Sequence, residues 1–449
     1  MPISANRYAT HLAVRSRIAA KRWSRRSAFL LGGVLVGAVA IGMAYVADVA
    51  QAAFLWAVQR IPWIGFVVTP LGFGLATYLA RNVFPNSQGS GIPQAIAALR
   101  IEDQDQRAPL VSLRVGIGKI IVMTLGLLCG ASTGREGPTV QVGAAIMFAI
   151  RRLSPYRQGG FLLAGAAAGV AAAFNTPLAG IVFGIEEMSR SFEARTSGLI
   201  IGAVIAAGLT SLAVIGDYSY FGATTATLPL GKAWIAVLVC AIIGGLAGGL
   251  FIRIVTLFAR GLPGAAGDII KRYQIPFAMA CGLGVAICGL NGDHSIYGTG
   301  YEQARAIVHG EKALDYWFGP LKFLSTTFSA MSGIPGGVFS PSLSVGAGIA
   351  SALSVVFSNV PLGALALIGM VSYLAGVVQA PITSFVIVSE MTNDHAMVIP
   401  LMAAALIANA SSKFLAREGL YHALARNFRP TVETSAQPDK AAKEPTGAL

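Results

Sequence analysis

The stretch Gly134-Arg135-Glu136-Gly137-Pro138 places two opposite charges between long apolar runs. Charge in a hydrocarbon setting is costly, so an ionisable pair there marks a functional site by default. Gly134 permits a tight turn, and Pro138 suits the first turn of a helix, where a missing N–H costs nothing. The chain is expected to break here and open a helix whose free N–H groups and positive dipole end face the Glu136 carboxylate. A group that displaces this carboxylate finds an anion site ready made. The plainer alternative is that Glu136 only caps the helix; the apolar flanks weigh against it.

Two more breaks have the same grammar. Gln88-Gly89-Ser90-Gly91-Ile92-Pro93-Gln94 and Gly336-Gly337-Val338-Phe339-Ser340-Pro341 each put glycines just before a helix start. Glycines expose N–H groups to a dehydrated ligand, and converging helix N-termini favour an anion over a cation. Ser90 offers a hydroxyl donor, or else a helix N-cap. Tyr421 offers a phenol, or else an interfacial belt residue. Lys119 and Lys322 add positive potential, or snorkel to an interface. Glu187 ends a helix that begins near Pro177. There the dipole, the neighbouring Glu186 and apolar surroundings all oppose a negative charge; alternatively the two glutamates mark where the helix reaches water. Gly130-Ala131-Ser132-Thr133-Gly134 fits the hydrolase pattern G-x-S-x-G. It lacks the strand before it, and the histidines fall mostly in loops or tails, so a serine hydrolase is set aside.

The elements that hold these residues are membrane helices. Of 449 residues, 55% are hydrophobic and 12% charged, against about a quarter charged in soluble domains. The runs Ser27 to Val58 and Phe161 to Ile185 reach the roughly 20 apolar residues a span requires. The net charge of +13 does not indicate nucleic acid. Arg7, Arg15, Arg17, Lys21, Arg22, Arg25 and Arg26 precede the first span with no acid among them, the positive-inside mark of a cytoplasmic N-terminus. The apolar run after them is too long for a signal peptide. Cys129, Cys240, Cys281 and Cys288 show no disulfide or metal spacing and read as core residues.

The chain repeats itself. Adding 203 to Lys119, Pro138, Gly143, Glu187 and Met188 gives Lys322, Pro341, Gly346, Glu390 and Met391, and adding 204 to Gly165 and Pro177 gives Gly369 and Pro381. The expected order is a basic cytoplasmic helix over 1–26, a first membrane repeat over 27–214, a second over 230–412, a short helix over 413–429 and a disordered tail over 430–449, with no soluble domain after the membrane region. Interrupted apolar segments at matching places in two repeats point to a transporter's binding site.

In their order, Gly89–Pro93, Gly134–Pro138 and Gly337–Pro341 resemble the three signatures G-S-G-I-P, G-[KR]-E-G-P and G-x-F-x-P of the CLC family of chloride channels and proton-coupled chloride transporters. The similarity extends over Gly165–Met188 and Glu390–Thr392. It implies an all-α polytopic membrane fold of two inverted repeats with many tilted, partly spanning helices, assembled as a homodimer in the lipid bilayer with one anion pathway per subunit. It implies that Ser90 contacts a central anion, that Glu136 is the gating glutamate, and that the amides of Val338 and Phe339 line the path. Gly89, Gly91, Gly134, Arg135, Gly137 and Lys119 support them. Tyr421 matches the inner tyrosine, in Gly-Leu-Tyr where Pro-Leu-Tyr is usual. Glu187 matches the internal glutamate that relays protons in the exchangers. Ser340 stands where Ala is common and is expected to lie outside the contacts. No cofactor or metal is expected; the substrates are chloride and proton. The reading is a chloride/proton antiporter of a plasma membrane, with a passive chloride channel or a nitrate or fluoride carrier as rivals. Ser90 rather than Pro argues against nitrate.

Overall fold

The computed structural model describes residues 3–150, 158–189, 194–216, 219–311 and 314–428. The tail expected to be disordered, 430–449, lies outside them. The first half contains α1 (Ile3–Arg60), α2 (Gly65–Tyr78), α3 (Ile92–Arg100), α4 (Gln104–Val111), α5 (Leu113–Leu128), α6 (Glu136–Ile150), α7 (Gln158–Phe174), α8 (Pro177–Phe183) and α9 (Ala194–Ile215). The second contains α10 (Trp234–Arg260), α11 (Ala265–Arg272), α12 (Gln274–Asn291), α13 (Tyr301–Val308), α14 (Phe318–Met331), α15 (Phe339–Leu353), α16 (Leu362–Val378), α17 (Pro381–Thr392), α18 (Val398–Lys413) and α19 (Leu420–Ala425). Among the described residues the chain is helical and forms no sheet; the one extended pairing is an isolated bridge between Gly134 and Gly337.

Among the described residues six helical segments are long and apolar enough to cross a bilayer, the longest being Arg26–Arg60 and Trp234–Arg260. Leu, Ile and Val side chains on α1, α2, α9 and α10 stay exposed, as a surface facing lipid requires. At the centre, α16 is buried from Gly363 to Val378; a helix apolar on every side belongs in an interior.

The repeat is visible as packing. A Cβ on Gly143 would lie 2.3 Å from the Gly165 carbonyl oxygen, and one on Gly346 would lie 2.3 Å from that of Gly369. So α6 packs backbone to backbone on α7, and α15 does the same on α16. Small residues at such crossings are what lets membrane helices approach.

Two expectations change. The basic helix over 1–26 and the first span are one helix, because α1 runs unbroken through Arg60 and no Gly or Pro interrupts it before Gly32. The helix start expected near Pro177 is found: α7 ends at Phe174, Asn175 turns with a left-handed φ of 55°, and Pro177 restarts the chain as α8. Finally, the structural counterpart of Glu390 is Glu186, not Glu187. The Glu186 carboxylate accepts the N–H groups of Ile382 and Thr383 at the start of α17, and Glu390 accepts those of Leu178 and Ala179 at the start of α8. A π-helical turn over Gly184–Ser189 inserts one residue there, so Glu187 is the extra one.

Candidate functional site

The three glycine breaks meet. Gly134 and Gly337 exchange both backbone hydrogen bonds, N to O at 2.7 and 2.6 Å, joining the second and third motifs. Gly336 N–H donates to the Gly89 carbonyl at 3.1 Å, and Gly89 N–H donates to Gly333 at 3.3 Å, which ties in the first. Gly91 takes a left-handed φ of 95° immediately before α3, a conformation that glycine alone adopts without strain. A Cβ on Gly137 would lie 2.3 Å from Ser90 Oγ. The hydroxyl thus lies against the first turn of α6, and only a glycine leaves it room.

Glu136 opens α6 and is fully buried. Its Oε1 accepts the Ser340 hydroxyl at 2.5 Å, and its Oε2 has no hydrogen-bond partner among the described residues. The backbone amides of Glu136 and Ser340 are within electrostatic reach. The carboxylate therefore sits between two helix N-termini, held by one side-chain donor. Arg135 turns the other way: its guanidinium donates to Asp48 Oδ1 at 2.6 Å and to the Ala44 carbonyl at 2.9 Å. It pins the motif to α1 and leaves the anion region to the amides. Ser340 was placed outside the contacts on sequence grounds; the structure puts it in direct contact with Glu136.

Lys119 and Lys322 are fully buried and do not snorkel. The Lys119 ammonium donates to the carbonyls of Gln88 and Gly89, and that of Lys322 to Ile296 and Gly298. Each clamps the glycine loop of its own half. The loops then differ. Thr299, at the place of Ser90, has its hydroxyl bonded by the Tyr301 N–H and its own N–H bonded to Gln51 Oε1. The Ser90 hydroxyl is buried with no partner among the described residues. The Thr299 hydroxyl is taken up by its own loop, whereas the Ser90 hydroxyl points out of its loop toward Tyr421.

Phe339 stacks on Tyr421 with ring centroids 5.8 Å apart and meets Phe174 and Phe183 edge-on. The Tyr421 hydroxyl is buried without a partner among the described residues. It faces the Ser90 hydroxyl and lies within electrostatic reach of Glu136 and Glu187, so four sequence-selected residues share one neighbourhood. Val338 is buried beside Ser90 and Gly337 along a small cavity of about 40 Å³, bordered also by Ser132, Thr133, Thr326 and Ser329. A larger cavity of about 410 Å³ also reaches Ser90 and carries Arg81, Arg260 and Lys271 on its walls. Those cations give this cavity a positive potential.

Glu187 is buried in the π-turn, its Oε1 3.6 Å from His422 Nε2. Arg100 Nη2 lies 2.8 Å from His422 Nδ1. Arginine can only donate, so Nδ1 accepts and the neutral ring carries its proton on Nε2, facing Glu187. Sequence reasoning missed His422 and Arg100; the available signal was a histidine adjoining Tyr421. All four cysteines are buried and free.

Residues 72–413 match the family model described as voltage gated chloride channel. The chain is 31% identical over 428 residues to the H(+)/Cl(-) exchange transporter ClcA of Yersinia pestis bv. Antiqua, an alignment covering 87% of this chain and 85% of that protein. It is 30% identical over 457 residues to the H(+)/Cl(-) exchange transporter ClcA of Klebsiella pneumoniae subsp. pneumoniae, covering 92% and 91%. In fold it resembles a slow cyanobacterial Cl-/H+ antiporter, with a TM-score of 0.77 at 23% identity over 90% of this chain and 97% of that one. It also resembles a CLC-type fluoride/proton antiporter, with a TM-score of 0.73 at 21% identity over 89% and 97%. At those identities the structural likeness speaks for the fold alone.

Proposed function

The chain belongs to the voltage gated chloride channel family, and from that membership we propose that it is a chloride/proton antiporter, a secondary transporter and not an enzyme. The observation that carries the reading is the buried Glu136 carboxylate at the start of α6, with one oxygen held by Ser340 and the other without a side-chain partner among the described residues. A carboxylate in that position occupies the place of an anion. Chloride entering from the basic cavity past Ser90 competes with it for the same amides. Once displaced, the carboxylate can take a proton from the outer side, and its return carries that proton inward. Glu187 is the exchange point toward the cytoplasm.

Ser90, Tyr421 and the amides of Val338 and Phe339 provide the inner anion contacts in this reading. The Ser90 and Tyr421 hydroxyls offset part of the hydration that chloride loses. The assembly is a homodimer in a plasma membrane with one pathway per subunit. The two repeats have opposite orientation, and both chain ends are cytoplasmic. The test is paired measurement of chloride and proton flux in liposomes: antiport moves protons uphill when driven by a chloride gradient. Chloride flux without coupled protons would replace this reading with a passive channel.

A further inference from the structure

We propose that Ser340 is a latch on Glu136: its hydroxyl stabilises the carboxylate in the anion position, so chloride must break this bond to enter. The inference rests on the proposed function for one point only, that the carboxylate and chloride compete for one place.

Four observations carry it. Ser340 Oγ to Glu136 Oε1 is 2.5 Å, in the range of a hydroxyl bonded to a charged oxygen. Both residues are buried, Glu136 at 0% exposure and Ser340 at 3%, so water does not readily replace the bond. The contact joins the two halves of the chain, since Ser340 belongs to the first turn of α15 and Glu136 to that of α6. Ser340 is the side-chain donor found on the carboxylate among the described residues, Oε2 has no side-chain partner there, and the buried Tyr220 phenol stands behind Ser340. A hydroxyl donating to this oxygen strengthens the occupied state of the gate and does nothing for the state in which the carboxylate has swung away. Ser340 is therefore a positioning residue for the gate and sets how strongly chloride must compete.

Chloride binding to the purified full-length protein, measured by titration calorimetry, reads the competition directly and does not require proton coupling. Loss of a hydrogen bond to a charged group shifts an equilibrium by about tenfold or more, part of which the other amides recover. Ser340→Ala is expected to lower the chloride Kd about 3- to 10-fold, and Ser340→Thr to restore the native value by returning a hydroxyl. In a Glu136→Ala background, Ser340→Ala should leave the Kd unchanged. Each protein is first shown by melting temperature to be folded. An unchanged Kd in Ser340→Ala overturns the latch. So does a weaker Kd, or a shift that persists in the Glu136→Ala background, because either places the hydroxyl on chloride instead of on the carboxylate. Absence of proton flux in the wild type would overturn the antiporter reading and leave the latch to be judged on the Kd alone.

Discussion

Glu186 and Glu390 cap each other's partner helices. Each carboxylate accepts two successive backbone N–H groups, Glu186 at 3.1 and 2.6 Å from α17 and Glu390 at 3.1 and 2.8 Å from α8. Their separation, 390 − 186 = 204, equals that of Pro177 and Pro381, 381 − 177 = 204. The pair belongs to the scaffold, whereas Glu187 beside it faces His422. Glu186→Ala and Glu390→Ala should each cost about 1–2 kcal/mol of stability, the usual size of a lost cap, and keep the coupling ratio. Glu187→Gln should keep substantial chloride flux and lose coupled proton flux. Thermal melts beside paired fluxes separate the two. Full proton pumping by Glu187→Gln would remove it from the pathway.

Glu136→Gln should abolish proton coupling and make chloride flux independent of pH. The amide fills the same volume, but it carries neither the proton nor the negative charge that competes with chloride. Flux recorded across a pH series in liposomes checks both effects. A mutant that still moves protons against their gradient contradicts the gating role.

The three breaks were legible because Gly and Pro leave marks at helix starts that no tertiary context is needed to read. Their convergence was legible from the repeat. What was not legible depends on registry between segments far apart in the chain. Ser340 meets Glu136 across 204 residues, and nothing in either motif dictates which side chain fills the gap. The lysines were ambiguous because a buried clamp and a snorkelling ammonium need the same residue at the same spacing; only the positions of the Gln88, Gly89, Ile296 and Gly298 carbonyls decide. The pairing of Glu390 went to the wrong glutamate because a π-turn changes the count by one without changing composition.

Ser90→Pro should shift preference from chloride toward nitrate. It removes the hydroxyl lying against Gly137 and leaves the glycine amides in place. Competition of the two anions for uptake is the measurement. Unchanged selectivity would count against an anion contact at Ser90.

Arg253, Arg260, Lys271 and Arg272 flank the turn between α10 and α11 and should be cytoplasmic by the positive-inside rule. A single cysteine placed at Gly264, in a background without the four native cysteines, should react with a membrane-impermeant thiol reagent only after the membrane is opened. Labelling in intact cells would invert the proposed topology.

Lys119→Met and Lys322→Met should separate stability from anion affinity. Each substitution strips two buried carbonyls of their donor and should cost about 1–3 kcal/mol, seen as a lower melting temperature in detergent. Beyond that the two differ. Lys119 holds the Gln88 and Gly89 carbonyls immediately before Ser90, whose hydroxyl has no bond within its own loop. Lys322 holds the loop before Thr299, whose hydroxyl is already bonded. Only Lys119→Met should therefore weaken chloride binding, by letting Ser90 drift from the start of α6. Equal loss of chloride affinity in both variants would mean that the lysines act through general stability or long-range potential instead of through loop position.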